Sequence, residues 1–121
     1  MATIFHIATR ADWGAATPAG SYRPASLETE GFIHCSTREQ VVGSANRFFR
    51  DRGDLVLLCI DEAKLGPALR YEAPVASGGA PDLRAGELFP HLYGPLALEA
   101  VAAVVAFPCS SDGSFALPPG V

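Results

Sequence analysis

Histidine is the side chain whose proton affinity lies nearest to neutral pH, and this chain has three, His6, His34 and His91. His6 interrupts the apolar, β-prone run from Thr3 to Ala8. His34 ends the run Gly31-Phe32-Ile33-His34, and His91 lies within Pro90-His91-Leu92-Tyr93-Gly94-Pro95. Imidazoles placed on strands and at a rigid turn can ligate a metal, activate a nucleophile or hydrogen-bond the hydroxyls of a ligand. Thr37, with Gln40 three residues on, makes a capping box, and the first amides of the helix behind it favour an anion beside His34.

A three-histidine zinc site, with carboxylates such as Glu30 nearby, would need convergence that no HxH or HExxH spacing signals, so no metal is expected. A Cys35 nucleophile is disfavoured because Cys35 follows His34 directly, and on a strand the two side chains point to opposite faces. Ser36 lacks a nucleophile-elbow context. A nucleotide site uses the residues where they stand: histidines bond ribose hydroxyls, an aromatic ring stacks on a base, and the Thr37 helix start meets phosphate. The alternative is a structural domain in which the histidines only tie loops to strands.

Composition narrows the partners. At 121 residues, 49% hydrophobic and 18% charged, the chain reads as one globular domain, 1–121, able to bury a core without staples. A net charge of -4, from nine Lys plus Arg against thirteen Asp plus Glu, supplies no basic face for long nucleic acid. A small nucleotide-like ligand needs only a few arginines. The three cysteines form no CxxC pair, which signals neither a disulfide framework nor zinc. No apolar run reaches the length of a bilayer span, and the N-terminus lacks signal-peptide features, so the expectation is a soluble, cytoplasmic protein with no membrane partner. Nothing in the pattern sets an oligomeric state.

Periodicity and punctuation give the helices and strands that carry these side chains. Thr3 to Ala8 is a first strand, after which Thr9 caps a short helical turn through Ala11, Asp12, Trp13 and Ala16. Thr17 to Pro24, with Pro18, Gly20 and Pro24, reads as a surface loop from which Tyr22 and Arg23 project. Glu30-Gly31 turns the chain into a strand from Phe32 to Cys35. The principal helix is predicted over about 37–52, with Val41, Val42, Ala45, Phe48 and Phe49 on one face and Gly53 as its stop. Asp54 to Asp61 is apolar without alternation and should be the central strand, buried on both faces.

Further on, Leu69 to Glu72 is a short strand, Gly78-Gly79-Ala80-Pro81 a loop, and Pro90 to Pro95 a rigid turn with exposed polar tips. A helical turn over Leu96 to Ala100 leads into a strand from Val101 to Phe107. Asp112-Gly113 is a hairpin signal that would let Ser114 to Leu117 pair back. The class is α+β, with a mixed, mainly antiparallel sheet and one principal helix.

The motifs GFIHCST, ANRFF, LRYE and FPHLYGPL, read together, resemble the family catalogued as domain of unknown function 952, over nearly the whole chain from Ile4-Phe5-His6 to Asp112-Gly113. The fold of that family is similar to that of the ADP-ribosyltransferases, which include poly-ADP-ribose polymerases and NAD-dependent RNA 2'-phosphotransferases. The resemblance implies an ADP-ribosyltransferase-like α+β fold and NAD as the ligand. It places His6 at the adenosine ribose and His34 at nicotinamide, with Ser36 opening the helix. His91 and Tyr93 occupy the late position where the transferases often carry a glutamate. No glutamate lies within that motif; Glu87 and Glu99 flank it.

His34, His91 and Tyr93 are therefore the candidate catalytic residues, and Arg10, Arg23 and Arg38 are candidates for gripping a pyrophosphate. Thr9, Tyr22 and Ser36 complete the nucleotide contacts with His6 and His34. The implied function is an NAD or ADP-ribose binding domain with ADP-ribosyltransferase or NAD glycohydrolase activity. The alternative is a catalytically inert module that binds a nucleotide or a partner protein.

Overall fold

Strand β4, Leu55–Asp61, carries an apolar run from Leu55 to Ile60 without alternation, and the other layers are built on it. The computed structural model describes residues 2–73 and 87–121, so the expected loop at Gly78-Gly79-Ala80-Pro81 lies outside the described residues. Leu55 to Ile60 are all buried, as a run without alternation requires of a strand covered on both faces. β4 pairs antiparallel with β1, Thr3–Thr9, on one side and with β8, Val101–Ala106, on the other, in the order β1-β4-β8.

The two faces of this sheet divide the core. Ile4, Ala8, Val56, Leu58 and Ile60 point one way and meet Tyr22, Ile33, Leu92 and Leu96. Phe5, Leu55, Leu57 and Cys59 point the other way, onto Val41 and Ala45 of helix α3, Arg38–Phe48, and onto Phe107 and Phe115 near the C-terminus. The period of two along β1 and β4 thus delivers alternate residues to two separate clusters.

The first cluster is roofed by short strands. β2, Ser21–Tyr22, pairs with β7, Leu96–Ala97. β3, Ile33–His34, pairs with β6, Phe89–Leu92, which pairs in turn with β5, Leu69–Glu72. Every pairing among the described strands is antiparallel. The α+β class and antiparallel preference stand, but the single expected sheet is three, because strands of two to four residues at the roof cannot extend the central ladder. One bridge joins the layers: Phe5 and Ser36 exchange both backbone hydrogen bonds, at 2.8 and 2.7 Å.

Several local expectations are corrected. Helix α1 spans Arg10–Ala19, beyond the short turn foreseen, with Thr9 accepting from the Asp12 amide as its cap. Pro18 is accommodated in the last turn, and Gly20, at φ +86°, closes the helix by donating to the carbonyls of Ala16 and Thr17. Tyr22 does not project from a loop but lies buried in β2. A short helix α2, Ser26–Thr29, went unforeseen.

Helix α3 ends at Phe48 rather than near residue 52, and Gly53 is not its stop. The chain turns at Asp51, φ +67°, whose amide donates to the Gly113 carbonyl at 3.1 Å, so a tertiary contact overrides the helical periodicity. Ser114 to Leu117 form no strand: the Asn46 side chain bonds both the amide and the carbonyl of Phe115 and takes the place of a ladder. Pro90 and His91 lie within β6, not at an exposed turn. Pro90 lacks a donor, but its carbonyl accepts from the Cys35 amide at 3.0 Å, which keeps the strand tied.

Candidate functional site

Strand alternation in β3, β6 and β5 sorts two kinds of side chain. Ile33, Cys35, Leu69 and Leu92 join the core. Their alternates, Phe32 and His34, His91 and Tyr93, Arg70 and Glu72, lie on the opposite face. The register sets His34 opposite His91 and His91 opposite Arg70, so three strands contribute to one row. Phe32 is the hub of this platform. Its ring stacks on His91 at 4.2 Å between centroids with 23° between planes, and lies 4.7 Å from His34 and 5.2 Å from Tyr93. The His34 and His91 rings meet edge to face at 5.7 Å.

Carboxylates hold both imidazoles. Glu72 Oε1 accepts from Nδ1–H of His91 at 2.9 Å and from the Tyr93 hydroxyl at 2.6 Å. Glu30 Oε2 accepts from Nε2–H of His34 at 2.9 Å, one helical turn apart in sequence and at the exposed rim. The donors of Tyr93 and His91 hold the Glu72 carboxyl below its ordinary range, and accepting that proton bond from Tyr93 pushes the phenol up. Burial holds the His91 imidazole below its usual value, with Glu72 acting in the opposite direction. Arg70 completes the edge, its guanidinium 5.1 Å from the centre of the Tyr93 ring.

His6 lies beneath the platform, not on it. Its Nδ1–H donates to the His34 carbonyl, and its Nε2 accepts from the Tyr22 hydroxyl at 2.8 Å, so both ring nitrogens are used inside the protein. Burial dominates its titration and lowers its pKa to about 4. The same burial raises the Tyr22 phenol. Cys35 faces the core, where burial pushes its thiol up to about 12, which leaves no thiolate at neutral pH.

Of the candidates named from sequence, the structure gathers His34, His91 and Tyr93, with His6 and Tyr22 as the layer that supports them. Thr9 caps α1. Ser36 is buried, its hydroxyl 3.4 Å from that of Ser44. Arg10 and Arg38 begin α1 and α3 and are exposed, and the Arg23 Nε donates to Ser21. Among the described residues no contact joins Arg10, Arg23 or Arg38 to the platform. The capping box is present, with the Thr37 amide donating to Gln40 Oε1 at 3.0 Å, while Gln40 Nε2 donates to the Leu88 carbonyl at 2.7 Å. Phe32, Arg70 and Glu72 were missed as site residues. The alternation of LRYE, which sets Arg70 and Glu72 on one face, was the available signal.

Comparison with known proteins bears on the chain as a whole. The model of a family described as protein of unknown function (DUF952) matches residues 7–104. The crystal structure of protein CC0527 from Caulobacter crescentus is 35% identical in sequence, with 95% of this chain and 94% of that chain covered and a TM-score of 0.82. A solution NMR structure of CC0527 is 36% identical, with 94% of this chain and 91% of that chain covered and a TM-score of 0.76. No curated protein sequence matches this chain. Among the described residues no helix is long and apolar enough to cross a membrane, and no group of three or more His, Cys, Asp and Glu could hold a metal ion.

Proposed function

This chain belongs to the DUF952 family, and we propose that its β3-β6-β5 face binds the nucleoside end of an NAD- or ADP-ribose-type nucleotide. One observation carries the reading: Phe32, His34, His91 and Tyr93 converge into a single aromatic and imidazole platform flanked by Glu30, Glu72 and Arg70. Aromatic and imidazole faces accept a heterocycle by stacking, and carboxylates and imidazole nitrogens accept hydrogen bonds from sugar hydroxyls. The nucleoside end is the part these residues fit. Arg70 is the cation at that edge, whereas Arg10, Arg23 and Arg38 stand apart from it.

The proposal extends to an ADP-ribosyltransferase-like organisation of the fold and to ADP-ribosyltransferase or NAD glycohydrolase chemistry at this face. Glu72 supports the extension, since it brings to the platform a carboxylate that the motif around His91 lacks in sequence. The second reading is an inert binding module, favoured by the engagement of both Glu30 and Glu72 with imidazoles of the protein itself.

Calorimetric titration of the full chain with NAD and with ADP-ribose tests the binding. Removing a stacking ring costs on the order of 1–3 kcal/mol, so truncating the two exposed rings, His34→Ala and Tyr93→Ala, is expected to weaken binding about tenfold or more, while Phe32, itself buried, supports them from beneath. No heat from the wild-type chain with either nucleotide at millimolar concentration removes the reading. Chromatography of NAD incubated with the protein separates the two versions: nicotinamide release marks the enzyme, and binding without release marks the module.

A further inference from the structure

His91 is held as a group of known protonation and known direction. Glu72 is ionised and can only accept, so the proton of the neutral His91 ring sits on Nδ1 and the lone pair is left on Nε2. Phe32 stacks on the ring and fixes its plane. His91 is only 2% exposed. No hydrogen-bond partner of Nε2 occurs among the described residues, and none of their enclosed side-chain nitrogens or oxygens goes unpartnered. The exposure that His91 retains therefore reaches Nε2. A carboxylate on one imidazole nitrogen with the other open to a ligand is the arrangement that lets histidine take a proton, because the carboxylate fixes the tautomer and stabilises the imidazolium that forms.

We propose that Glu72 and His91 form a proton-transfer pair in which Nε2 of His91 accepts a proton from a hydroxyl group, of a bound ribosyl ligand or of water, and Glu72 is the positioning residue. In this step the O–H bond breaks, the N–H bond forms on Nε2, and the electron pair stays on the oxygen. The charged and titratable groups that face His91 come from each neighbouring segment: Glu72 and Arg70 from β5, His34 with its partner Glu30 from the β3 side, and Tyr93 from just beyond the end of β6. Tyr93 shares Glu72 Oε1 and so draws off part of the charge available to the ring. The inference rests on the reading of this face as the functional site, but its test uses no nucleotide.

Long-range proton–nitrogen NMR on the full chain reads the tautomer and titration of His91 directly. The expected result is Nδ1–H in the neutral wild-type ring. In Glu72→Gln the charge partner is lost, and the His91 midpoint is expected to fall by about one pH unit with the Nδ1–H preference weakened. In Tyr93→Phe the carboxylate serves the imidazole alone, and the midpoint is expected to rise. A wild-type ring protonated on Nε2, or a midpoint that moves in neither variant, overturns the pair. If Glu72→Gln fails to fold, Tyr93→Phe decides alone. Absence of NAD and ADP-ribose binding with these titrations intact would remove the nucleotide reading and leave the pair in place.

Discussion

The two ring nitrogens of His6 are satisfied by groups on two different strands, the His34 carbonyl and the Tyr22 hydroxyl. Tyr22→Phe leaves Nε2 buried without a donor, which costs about 1–3 kcal/mol; urea unfolding is expected to show that loss, with the slope against denaturant unchanged. The acid profile has a definite sign. Above about pH 6.5 neither the folded nor the unfolded His6 holds the proton. As pH falls the unfolded chain takes it up first, since burial keeps the folded imidazole near 4. Stability therefore declines from about pH 6.5, and the loss is complete below about 4, amounting to roughly 3 kcal/mol for this group. His91, lowered in the same direction, adds to that slope. Thermal melts of the wild type and of His6→Asn between pH 7 and 4 check it: the variant is less stable throughout but has the shallower dependence. The polarity of His6 in an apolar strand was visible in sequence; that its partners would be a carbonyl and a tyrosine of this protein was not, because both arrive from distant segments.

At the scale of elements, the helices and long strands followed local pattern, and the short pieces followed tertiary contact. β4 was readable because a run without alternation leaves few options, and α3 because its apolar face recurs at helical spacing. The end of α3 was not, since it depends on the meeting of Asp51 with Gly113, 62 positions apart in sequence numbering. Two glycines give opposite expectations on this element and its contact. A Cβ at Gly43, within α3, meets nothing within 4 Å. Gly43→Ala is therefore expected to raise stability by about 0.5–1 kcal/mol through helix propensity alone. At Gly113, φ is +85° and a Cβ would lie 2.1 Å from Asp51 Oδ1. Gly113→Ala is expected to lower stability by more than the first variant raises it, and paired thermal melts measure both. The site was legible to a similar extent: His34, His91 and Tyr93 stood out by type, whereas Glu72 sat in a four-residue strand whose register with β6 no local pattern could supply.

Over the whole molecule, the central sheet separates two apolar clusters, and its two edges differ. β1 is covered where Phe5 bonds Ser36. β8 pairs with β4 on one side, and among the described strands none pairs with its other side. Its sequence from Val101 to Ala106 holds no charge, and Val104 is 43% exposed. Such an edge is a template for cross-strand pairing when the chain is heated or concentrated. Val104→Lys is expected to slow aggregation on heating, as followed by light scattering, while changing the unfolding midpoint little. The site lies on a different sheet, β3-β6-β5, whose strand β3 is only two residues long. That strand is nonetheless pinned by the ladder to β6, by the Cys35 amide on Pro90, by the pair of backbone hydrogen bonds between Ser36 and Phe5, and by the imidazole beneath His34. A ligand settling on His34 would meet a surface whose stiffness is borrowed from the interior. Little chain entropy is left there to surrender on capture, so even a modest set of contacts can show through as affinity.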